Sequence, residues 1–424
     1  MRYRTFLLHS TLLSLSSVIS PAALASGFQL NEYSANGLGR AYSGEGAIGD
    51  TAASASRNPA TMTLMKQPAL SLGAIYVDAD VNIDGISPSG RSLRANHIVK
   101  GEVIPNFHYV QPLNERFWLG FSANTNYGLS THFPDSYPAG PLGGKTRLMT
   151  SNLALNGAWK ASDHLSLGLG LDAVYAQAEL NRTGGELLSG LGLPENTMVS
   201  HLKGHRWAGG WNSGILYEVD QNNRFSLTYR SKIKIKFKGN YSSELPSALN
   251  PVWQQAGIYG TDGQFIPGKL DLNLPAVWEV SAWHRVAPQW QVHYSMTYTK
   301  WDTFEQLRAT KSDNGLLFSK DEYFRNSWRM AVGTTYDYNK NWTFRSGVAF
   351  DTTAVNKPNR TISIPDQNRV WLAAGTTYHL SPQSSVDVGV AYMHGQNVTV
   401  QESSYTFHSS GQAWLYGLNL NYLF

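Results

Sequence analysis

Apolar and polar residues alternate along most of the chain beyond residue 68. From Leu165 to Tyr175 the odd positions are apolar, and the even positions are mostly small or polar. The same period of two recurs at residues 225–237, 290–298 and 386–392. An alternation that continues beyond the ~5–6 residues of an ordinary strand predicts long β-strands, each with one apolar face.

The number and spacing of these segments favour a membrane barrel over a soluble sandwich. About fourteen strands are predicted, an even number as in bacterial single-chain barrels. They begin near residues 69, 97, 116, 146, 164, 199, 224, 269, 289, 321, 342, 365, 385 and 412. Short connections alternate with long ones at 129–145, 183–198, 243–268, 306–320 and 352–364. Outer-membrane barrels have short turns on one side and long loops on the other, so we predict an all-β transmembrane fold, an antiparallel β-barrel, over residues 68–424.

The last segment carries the clearest membrane signal. From Trp414 to Tyr422 the even positions are aromatic or leucine, and the chain ends at Phe424. A C-terminal strand ending in Phe resembles the signal that bacterial outer-membrane barrels present to their assembly machinery. We therefore expect the barrel assembly machinery, outer-membrane lipid and lipopolysaccharide as partners.

Residues 1–25 predict a secretory signal peptide. Two arginines precede a mostly apolar stretch, and Ala23-Leu24-Ala25 supplies small residues at a cleavage site. Cysteine is absent, which excludes disulfides and thiolate chemistry. Only 15% of residues are charged and the formal net charge is +4, so no nucleic acid partner is expected. Export and a barrel together predict the outer membrane of a Gram-negative bacterium.

Residues 26–67 lack the alternation and are rich in small residues. Small side chains let a segment pack tightly, and a barrel of about fourteen strands is too wide to be filled by its own wall. We predict that residues 26–67 form an N-terminal plug, or hatch, inside the lumen. The glycines could also suggest a phosphate-binding loop, but no strand precedes them and no Gly-Lys-Ser/Thr follows.

Several stretches carry a resemblance to a known family. Residues 26–32, 37–45 and Asn58-Pro59-Ala60 resemble the plug of the long-chain fatty acid transporters of Gram-negative outer membranes, the FadL family. The similarity continues through residues 87–93 and 364–367 to the last strand, so it covers most of the mature chain. It implies a fourteen-stranded barrel with an N-terminal hatch, in agreement with the strand count.

The resemblance also implies where a fatty acid binds and leaves. The acyl-binding pocket of the family matches Arg182 and Lys320, and its hatch N-terminus matches Phe28. The alternation supports an inward Arg182, whereas Lys320 can point inward only beyond the regular strand or after a bulge. The inward kink of the third strand, which opens a lateral hole in the family, matches Asn126 and Gly128.

Two further expectations concern the plug and the outer access site. Asp351 faces inward by the alternation and is expected in a structural ion pair, with plug groups such as Arg57 as possible partners. The loop at 183–198 is shorter than in the best-known family members, so the outer access site is the feature that the resemblance defines least.

We therefore expect passive uptake of long-chain fatty acids by a monomer, with binding in extracellular loops and a lumen pocket and lateral release at the third strand. The same fold could carry neutral hydrocarbons or aromatic compounds, and a structural or adhesive barrel or a general porin are further alternatives. No enzyme activity, cofactor or metal is expected. His201 and His205 have the spacing of helical ligands, but their surroundings predict loop and strand.

Overall fold

The computed structural model describes residues 27–424, so the predicted signal peptide at residues 1–25 lies outside the described part. Within that part, twenty β-segments form fourteen strands, because six strands are interrupted once. The strands are β1 (Ala69–Ile86), β2 (Glu102–Pro112), β3 (Phe117–Asn124 and Gly128–His132), β4 (Lys145–Lys160), β5 (Leu165–Thr183), β6 (Met198–Asp220), β7 (Asn223–Arg230 and Ile233–Ser242), β8 (Ile266–Leu274 and Ala276–Ala287), β9 (Trp290–Lys300 and Gln306–Lys311), β10 (Leu316–Asp321 and Ser327–Asp337), β11 (Trp342–Asp351), β12 (Arg369–His379), β13 (Ser384–Gly395 and Val398–Glu402) and β14 (Tyr405–Leu423).

The sheet is antiparallel and closes on itself. Each strand pairs with the next along the chain, and β1 pairs with β14 over its whole length. The predicted fourteen-stranded barrel is therefore confirmed. Most strands begin within a few residues of the predicted positions, although β2 begins at Glu102 rather than near 97, and β14 begins at Tyr405 rather than near 412.

The long loop predicted at 306–320 is wrong. These residues form a hairpin, in which Gln306–Lys311 of β9 pairs with Leu316–Asp321 of β10. The exposed positions at the start of this hairpin are polar, as at Gln306 and Arg308. The alternation that marks a lipid-facing strand is therefore missing from its sequence.

The burial pattern along the strands is the reverse of that in a soluble sandwich. In β11 the exposed positions include Trp342, Phe344 and Phe350, whereas Arg345 and Asp351 are buried. The lower part of β14 repeats this arrangement, with Trp414, Tyr416 and Leu418 exposed and Asn419 buried. An outer surface of this kind is stable only against lipid.

The helices are short and lie outside the regular strands. The α-helices are α1 (Ala35–Leu38), α2 (Gly185–Ser189) and α3 (Asn250–Trp253). The 3₁₀ helices are Ala52–Ser56, Pro59–Leu64, Ser247–Leu249, Gln254–Ala256, Trp301–Thr303 and Lys357–Asn359. Across residues 27–424, no helix has the length and apolar character needed to cross a membrane.

Residues 27–67, called the hatch segment below, lie against inward-facing residues of the barrel wall. The Ala35 amide donates a hydrogen bond to Asn419 Oδ1 of β14 at 2.9 Å. Arg57 forms an ion pair with Glu279 of β8 at 3.4 Å. The hatch segment is thus bonded to strands that are far apart in the sequence.

Two wall glycines let the hatch segment approach closely. A Cβ placed on Gly347 would lie 2.2 Å from the carbonyl oxygen of Arg40, and one on Gly389 would lie 2.3 Å from that of Ala35. Real side chains do not approach backbone atoms so closely, so any larger residue at either position would displace the hatch segment.

Arg40 of the hatch segment is compensated by two carboxylates of the same segment. Arg40 pairs with Glu45 at 2.6 Å and with Asp50 at 2.7 Å. Asp50 also lies 3.8 Å from Arg345 of the wall. Buried charges are costly unless they are paired, so this network fixes the hatch segment to β11.

Candidate functional site

An apolar cavity, called the outer chamber below, lies between inward-facing side chains of the barrel toward the long loops, and it opens to solvent beside Lys203 and Lys269. The space between its lining atoms, open solvent included, is about 720 Å³. Its walls include Leu129, Leu148, Phe237, Leu272 and Phe304. These apolar side chains make the outer chamber suitable for the hydrocarbon part of a ligand.

Arg182 is buried beside the outer chamber. Its guanidinium group donates to the carbonyl oxygens of Lys145 at 3.1 Å and Asn181 at 2.8 Å, and to Thr146 Oγ1 at 3.0 Å. Thr146 lines the outer chamber, although Arg182 itself does not. Arg182 is 3% exposed, and within residues 27–424 it forms no ion pair. A buried cation that contacts no carboxylate is costly, so this group is available to an anion.

Lys320 points inward but is already paired. Its ammonium group lies 2.6 Å from Glu402 Oε1 and 3.3 Å from Ser363 Oγ. The interruption of β10 at residues 322–326 changes which positions face the lumen, and this accounts for the parity conflict at Lys320. Phe318, two residues earlier, lines the outer chamber.

Arg182 and Lys320 belong to one charged cluster with two carboxylates. Glu402 and Glu322 both act electrostatically on Arg182. Glu322 is buried, and neither of its carboxylate oxygens has a hydrogen-bond partner among the described residues. The cluster is formally neutral, so an incoming carboxylate would have to compete with Glu402 for Lys320.

Phe28 separates the outer chamber from a second cavity of about 1010 Å³, called the inner chamber below. The centroid of its ring lies 4.6 Å from that of Trp301 and 5.6 Å from that of Phe304, and both pairs of rings meet edge-on. Phe28, Leu129 and Ile364 line both chambers. These three side chains therefore form the partition between them.

The third strand is irregular where Asn126 and Gly128 were expected to mark a kink. Asn124 pairs with Asn152 of β4 and Gly128 pairs with Met149, so three residues of β3 oppose two of β4. One extra residue on one strand is a β-bulge, which bends the strand.

On the edge of β3 that faces β2, only part of the strand is paired. β2 pairs with β3 only over Phe107–Pro112, although its residues 102–106 still pair with β1. The wall between β2 and β3 therefore lacks a hydrogen-bonded ladder over the outer part of β2. The inner chamber reaches this stretch, because Gly128, Leu129 and Ser130 line it.

The hatch segment uses the backbone groups that β3 does not share with β2. The Leu30 amide donates to the Asn126 carbonyl at 2.8 Å, and the Gly128 amide donates to the Phe28 carbonyl at 3.0 Å. A Cβ on Gly128 would lie 2.8 Å from Leu30 Cδ1. The kink is thus bonded to the same short segment that carries the partition residue Phe28.

The Asn58-Pro59-Ala60 motif fixes the second half of the hatch segment. Asn58 Oδ1 accepts a hydrogen bond from the Ala60 amide at 2.9 Å and caps the helix that Pro59 begins. Its Nδ2 donates to the Gly46 carbonyl at 2.7 Å and to the Ile215 carbonyl of β6 at 3.3 Å. The buried amide therefore links two parts of the hatch segment to the wall.

Asp351 forms an ion pair, but not with Arg57, so that suggested pairing is wrong. Its partners are Arg329 of β10 and the Trp371 indole, which donates to Asp351 Oδ2 at 2.6 Å. Arg57 pairs with Glu279 instead, because it lies against β8. Asp351 acts on the hatch segment indirectly, since Arg329 also donates to the carbonyl oxygen of Ala41 at 3.0 Å.

Glu186 joins the extracellular loops above the outer chamber. It accepts hydrogen bonds from Ser87 at 2.8 Å, Ser89 at 2.5 Å and Tyr405 at 2.7 Å. Burial alone would raise the pKa of Glu186, but these bonds hold the pKa below its ordinary value. The ionised carboxylate thus ties the loop that contains α2 to the loop after β1.

The two histidines with helical ligand spacing do not form a metal site. His201 and His205 both lie in β6, where four residues span ~13 Å. In the described range, no group of three metal-ligating side chains is close enough to hold an ion.

Residues 16–424 match a family described as "Outer membrane protein transport protein (OMPP1/FadL/TodX)". The chain belongs to this family. The long-chain fatty acid transport protein of Escherichia coli (strain K12) is 49% identical over 447 residues, and the alignment covers 100% of both chains. The 47 kDa outer membrane protein of Pasteurella multocida is 44% identical over 421 residues, 97% of each chain. The resemblance to the FadL family and the outer-membrane location are confirmed.

Solved structures share the FadL-family fold. A FadL homologue of Pseudomonas aeruginosa has a TM-score of 0.85 at 21% identity, over 94% of this chain and 100% of its own. The toluene transporter TodX of Pseudomonas putida has a TM-score of 0.71 at 16% identity, over 94% of this chain and 100% of its own. At these identities the likeness concerns the barrel itself rather than the ligand.

Proposed function

We propose that this FadL-family protein takes up long-chain fatty acids across the outer membrane by passive diffusion. The observation that carries the proposal is Arg182, a buried cation without an ion-pair partner in the described part of the chain, beside an apolar chamber. A fatty acid offers the complementary pair of groups, a carboxylate for Arg182 and an acyl chain for the chamber. The fatty acid transport proteins at about 49% identity support the same ligand class.

The proposed path begins at the extracellular loops. Leu187 and Leu191 on one loop, and Leu249 and Val252 on another, are apolar and exposed. Each buried methylene group contributes roughly 0.8 kcal/mol, so such surfaces can collect acyl chains from water. From there the chain enters the outer chamber, where Arg182 and Lys320 hold the carboxylate.

The proposed exit is lateral, through the wall between β2 and β3. Movement of Phe28 would join the outer and inner chambers, and the inner chamber reaches the stretch where β2 and β3 are not paired. Because the hatch segment is bonded to Asn126 and Gly128, a shift of Phe28 also acts on the kink. A lateral exit keeps the acyl chain in contact with apolar surfaces and delivers it to the bilayer.

The remaining assignments follow from the same architecture. We infer that the hatch segment closes the lumen to ions, that the barrel assembly machinery inserts the protein, and that it works as a monomer without enzyme activity. Transport of neutral hydrocarbons by the same fold is the second candidate, because the outer chamber is almost wholly apolar.

The test compares an acid with a neutral ligand of equal chain length. Arg182→Ala combined with Lys320→Ala should reduce uptake of labelled oleate, because each charge-assisted hydrogen bond is worth roughly 1.5–3 kcal/mol. Uptake of the corresponding alcohol should fall much less. The measurement is uptake by cells that lack other fatty acid transporters, normalised to folded barrel in the outer membrane.

A matched control removes two loop cations outside the cluster. Arg94 and Lys357 are exposed on loops, so the change of both to Ala should leave uptake of both ligands unaltered. Equal losses of acid and alcohol in the Arg182/Lys320 variant, or no loss of either, would contradict the carboxylate pocket and favour neutral hydrocarbons.

A further inference from the structure

The outer surface of the barrel carries a row of lysines to which the proposed uptake gives no role. In the second segment of β7, Lys234, Lys236 and Lys238 are exposed, whereas Ile233, Ile235 and Phe237 between them point into the lumen. Lys203 of β6 and Lys269 of β8 extend the row to the neighbouring strands, and both are exposed. The five lysines Lys203, Lys234, Lys236, Lys238 and Lys269 are called the basic stripe below.

An aromatic belt fixes the depth of the basic stripe relative to the membrane. Neighbouring outward-facing rings make contact around the barrel, with centroids 4.9 Å apart for Trp211 and Tyr229, and 4.4 Å apart for Tyr229 and Trp278. Tyr298 and Trp328 continue the belt at 4.6 Å. Such belts lie at the boundary between hydrocarbon and head groups.

The basic stripe lies on the extracellular side of this belt. In β7 the belt residue Tyr229 precedes Lys234 by five positions, roughly 16 Å along the strand, and the strand then runs to the long loop at 243–265. The stripe therefore begins in the head-group layer of the outer leaflet. Lysines two positions apart are ~7 Å apart along a strand, so Lys234, Lys236 and Lys238 form a column of charge along the tilted strand.

Within residues 27–424, the lysines of the stripe have no ion-pair partner. Lys238 is directly opposite Lys269 in the ladder and directly opposite His205 on its other side. Like charges in directly opposed positions destabilise a sheet. Across residues 27–424, none of the five lysines forms an ion pair or a side-chain hydrogen bond with another residue.

Two acidic residues lie near the stripe and do not neutralise it. Asp271 is opposite Lys236 but is not within ion-pair distance of it. Glu179 is opposite Lys203, but its carboxylate is bound by Lys145 at 2.8 Å. A groove on the outer face, lined by His201, Lys203 and Phe265, joins the stripe to apolar surface.

We propose that the basic stripe binds the phosphate groups of the phosphorylated glycolipid of the outer leaflet, lipid A and its inner core. Charge and depth favour this occupant, because its phosphates lie in the layer where the stripe begins. Phosphate oxygens are strong acceptors for lysine, and each cation near an anionic lipid surface adds attraction. The stripe meets the fatty acid path only at Lys203 and Lys269, which also line the outer chamber. Lys234, Lys236 and Lys238 do not line it and are exposed on the outer face.

The test uses the intact barrel in nanodiscs of neutral phosphatidylcholine. Binding of lipid A with both phosphates is compared with binding of the same lipid after removal of its phosphates, by native mass spectrometry. The wild-type protein should prefer the phosphorylated form at least tenfold, and the preference should fall with added salt. Inorganic phosphate at equal concentration should not compete, which separates a lipid site from a site for the free ion.

Two variants of equal charge change make the result specific. One neutralises stripe residues by substitution with Gln: Lys234→Gln, Lys236→Gln, Lys238→Gln and Lys269→Gln. The other neutralises four cations at the opposite end of the barrel: Arg116→Gln, Lys160→Gln, Arg285→Gln and Lys340→Gln. Heat-modifiable migration on gels checks that both variants are folded.

The stripe variant should lose the preference for phosphorylated lipid A, and the opposite-end variant should keep it. An equal preference in the stripe variant and the wild type would overturn the proposal. Competition by phosphatidylglycerol as effective as that by lipid A would also overturn it, because the stripe would then respond to any anionic lipid.

Discussion

Replacement of Glu402 by Gln should strengthen the binding of an ionised fatty acid. Glu402 holds the ammonium group of Lys320 at 2.6 Å, so a ligand carboxylate must compete with it. The other carboxylate oxygen accepts the Ile362 amide at 3.0 Å. Glutamine can keep that bond through its carbonyl oxygen, so the substitution removes the charge with little change of shape.

The size of the effect follows from the burial of the pair. The side chains of Lys320 and Glu402 are 19% and 10% exposed, so solvent screens this pair less than a surface ion pair. A hydrogen bond to a charged group is worth roughly 1.5–3 kcal/mol, and the freed lysine gains some hydration in its place. We therefore expect the ligand to gain about 1.4 kcal/mol, which is roughly tenfold in affinity.

Equilibrium binding of oleate to the purified barrel, alongside the corresponding alcohol, measures this effect. The gain should appear for oleate and be small for the alcohol, and adding Lys320→Ala to Glu402→Gln should abolish it. Asp313→Asn is the control, since it removes the partner of Lys311 on an exposed hairpin. Unchanged or weaker oleate binding by a folded Glu402→Gln variant, or an equal gain for the alcohol, would refute the competition.

Three further predictions concern the hatch segment, assembly and the kink. Deletion of residues 28–60 should leave an assembled barrel that conducts ions in planar bilayers, because the strands satisfy their own hydrogen bonds while the lumen loses its filling; unchanged conductance would contradict the plug. Phe424→Asp should reduce folded protein in the outer membrane far more than Asp313→Ala does, and equal amounts of heat-modifiable barrel would remove the assembly role of the C-terminus. Gly128→Val should lower oleate uptake several-fold, because the valine side chain would collide with Leu30. Adding Leu30→Ala should partly restore uptake. Normal uptake by the single variant would show that the contact is dispensable.

The lipid-facing part of the fold could be predicted because the bilayer imposes a strict pattern. Every strand that crosses the hydrocarbon layer must present apolar residues at alternate positions, as β14 does from Trp414 to Tyr422. The pattern disappears where β9 and β10 extend above the membrane, and there the prediction of a loop was wrong. The strand interruption at residues 322–326 was visible in the sequence only indirectly. It appeared as a conflict between the alternation and the inward position that the family resemblance implies for Lys320.

The site was harder to predict, because its members come from distant parts of the chain. Arg182 and Lys320 match the acyl-binding pocket of the family. However, the sequence around Glu402 does not indicate that Glu402 would be the partner of Lys320. Trp301 was also missed, although it is fully buried against Phe28. Its position directly after the end of a regular strand segment could have indicated this burial. A large aromatic residue at such a position no longer faces lipid.

The bonds between the hatch segment and the wall have a consequence for the order of folding. The amide of Ala35 meets Asn419 across 384 positions of sequence, and Asn419 lies in the strand that closes the barrel against β1. Contacts between the two ends of a chain cost the most loop entropy, so they form late and slow the overall reaction. The first residues of the folded chain therefore gain their final partners only when the last strand docks. Until then the buried polar groups of the hatch segment lack some of their hydrogen-bond partners. These unpaired groups distinguish an incomplete barrel from a finished one.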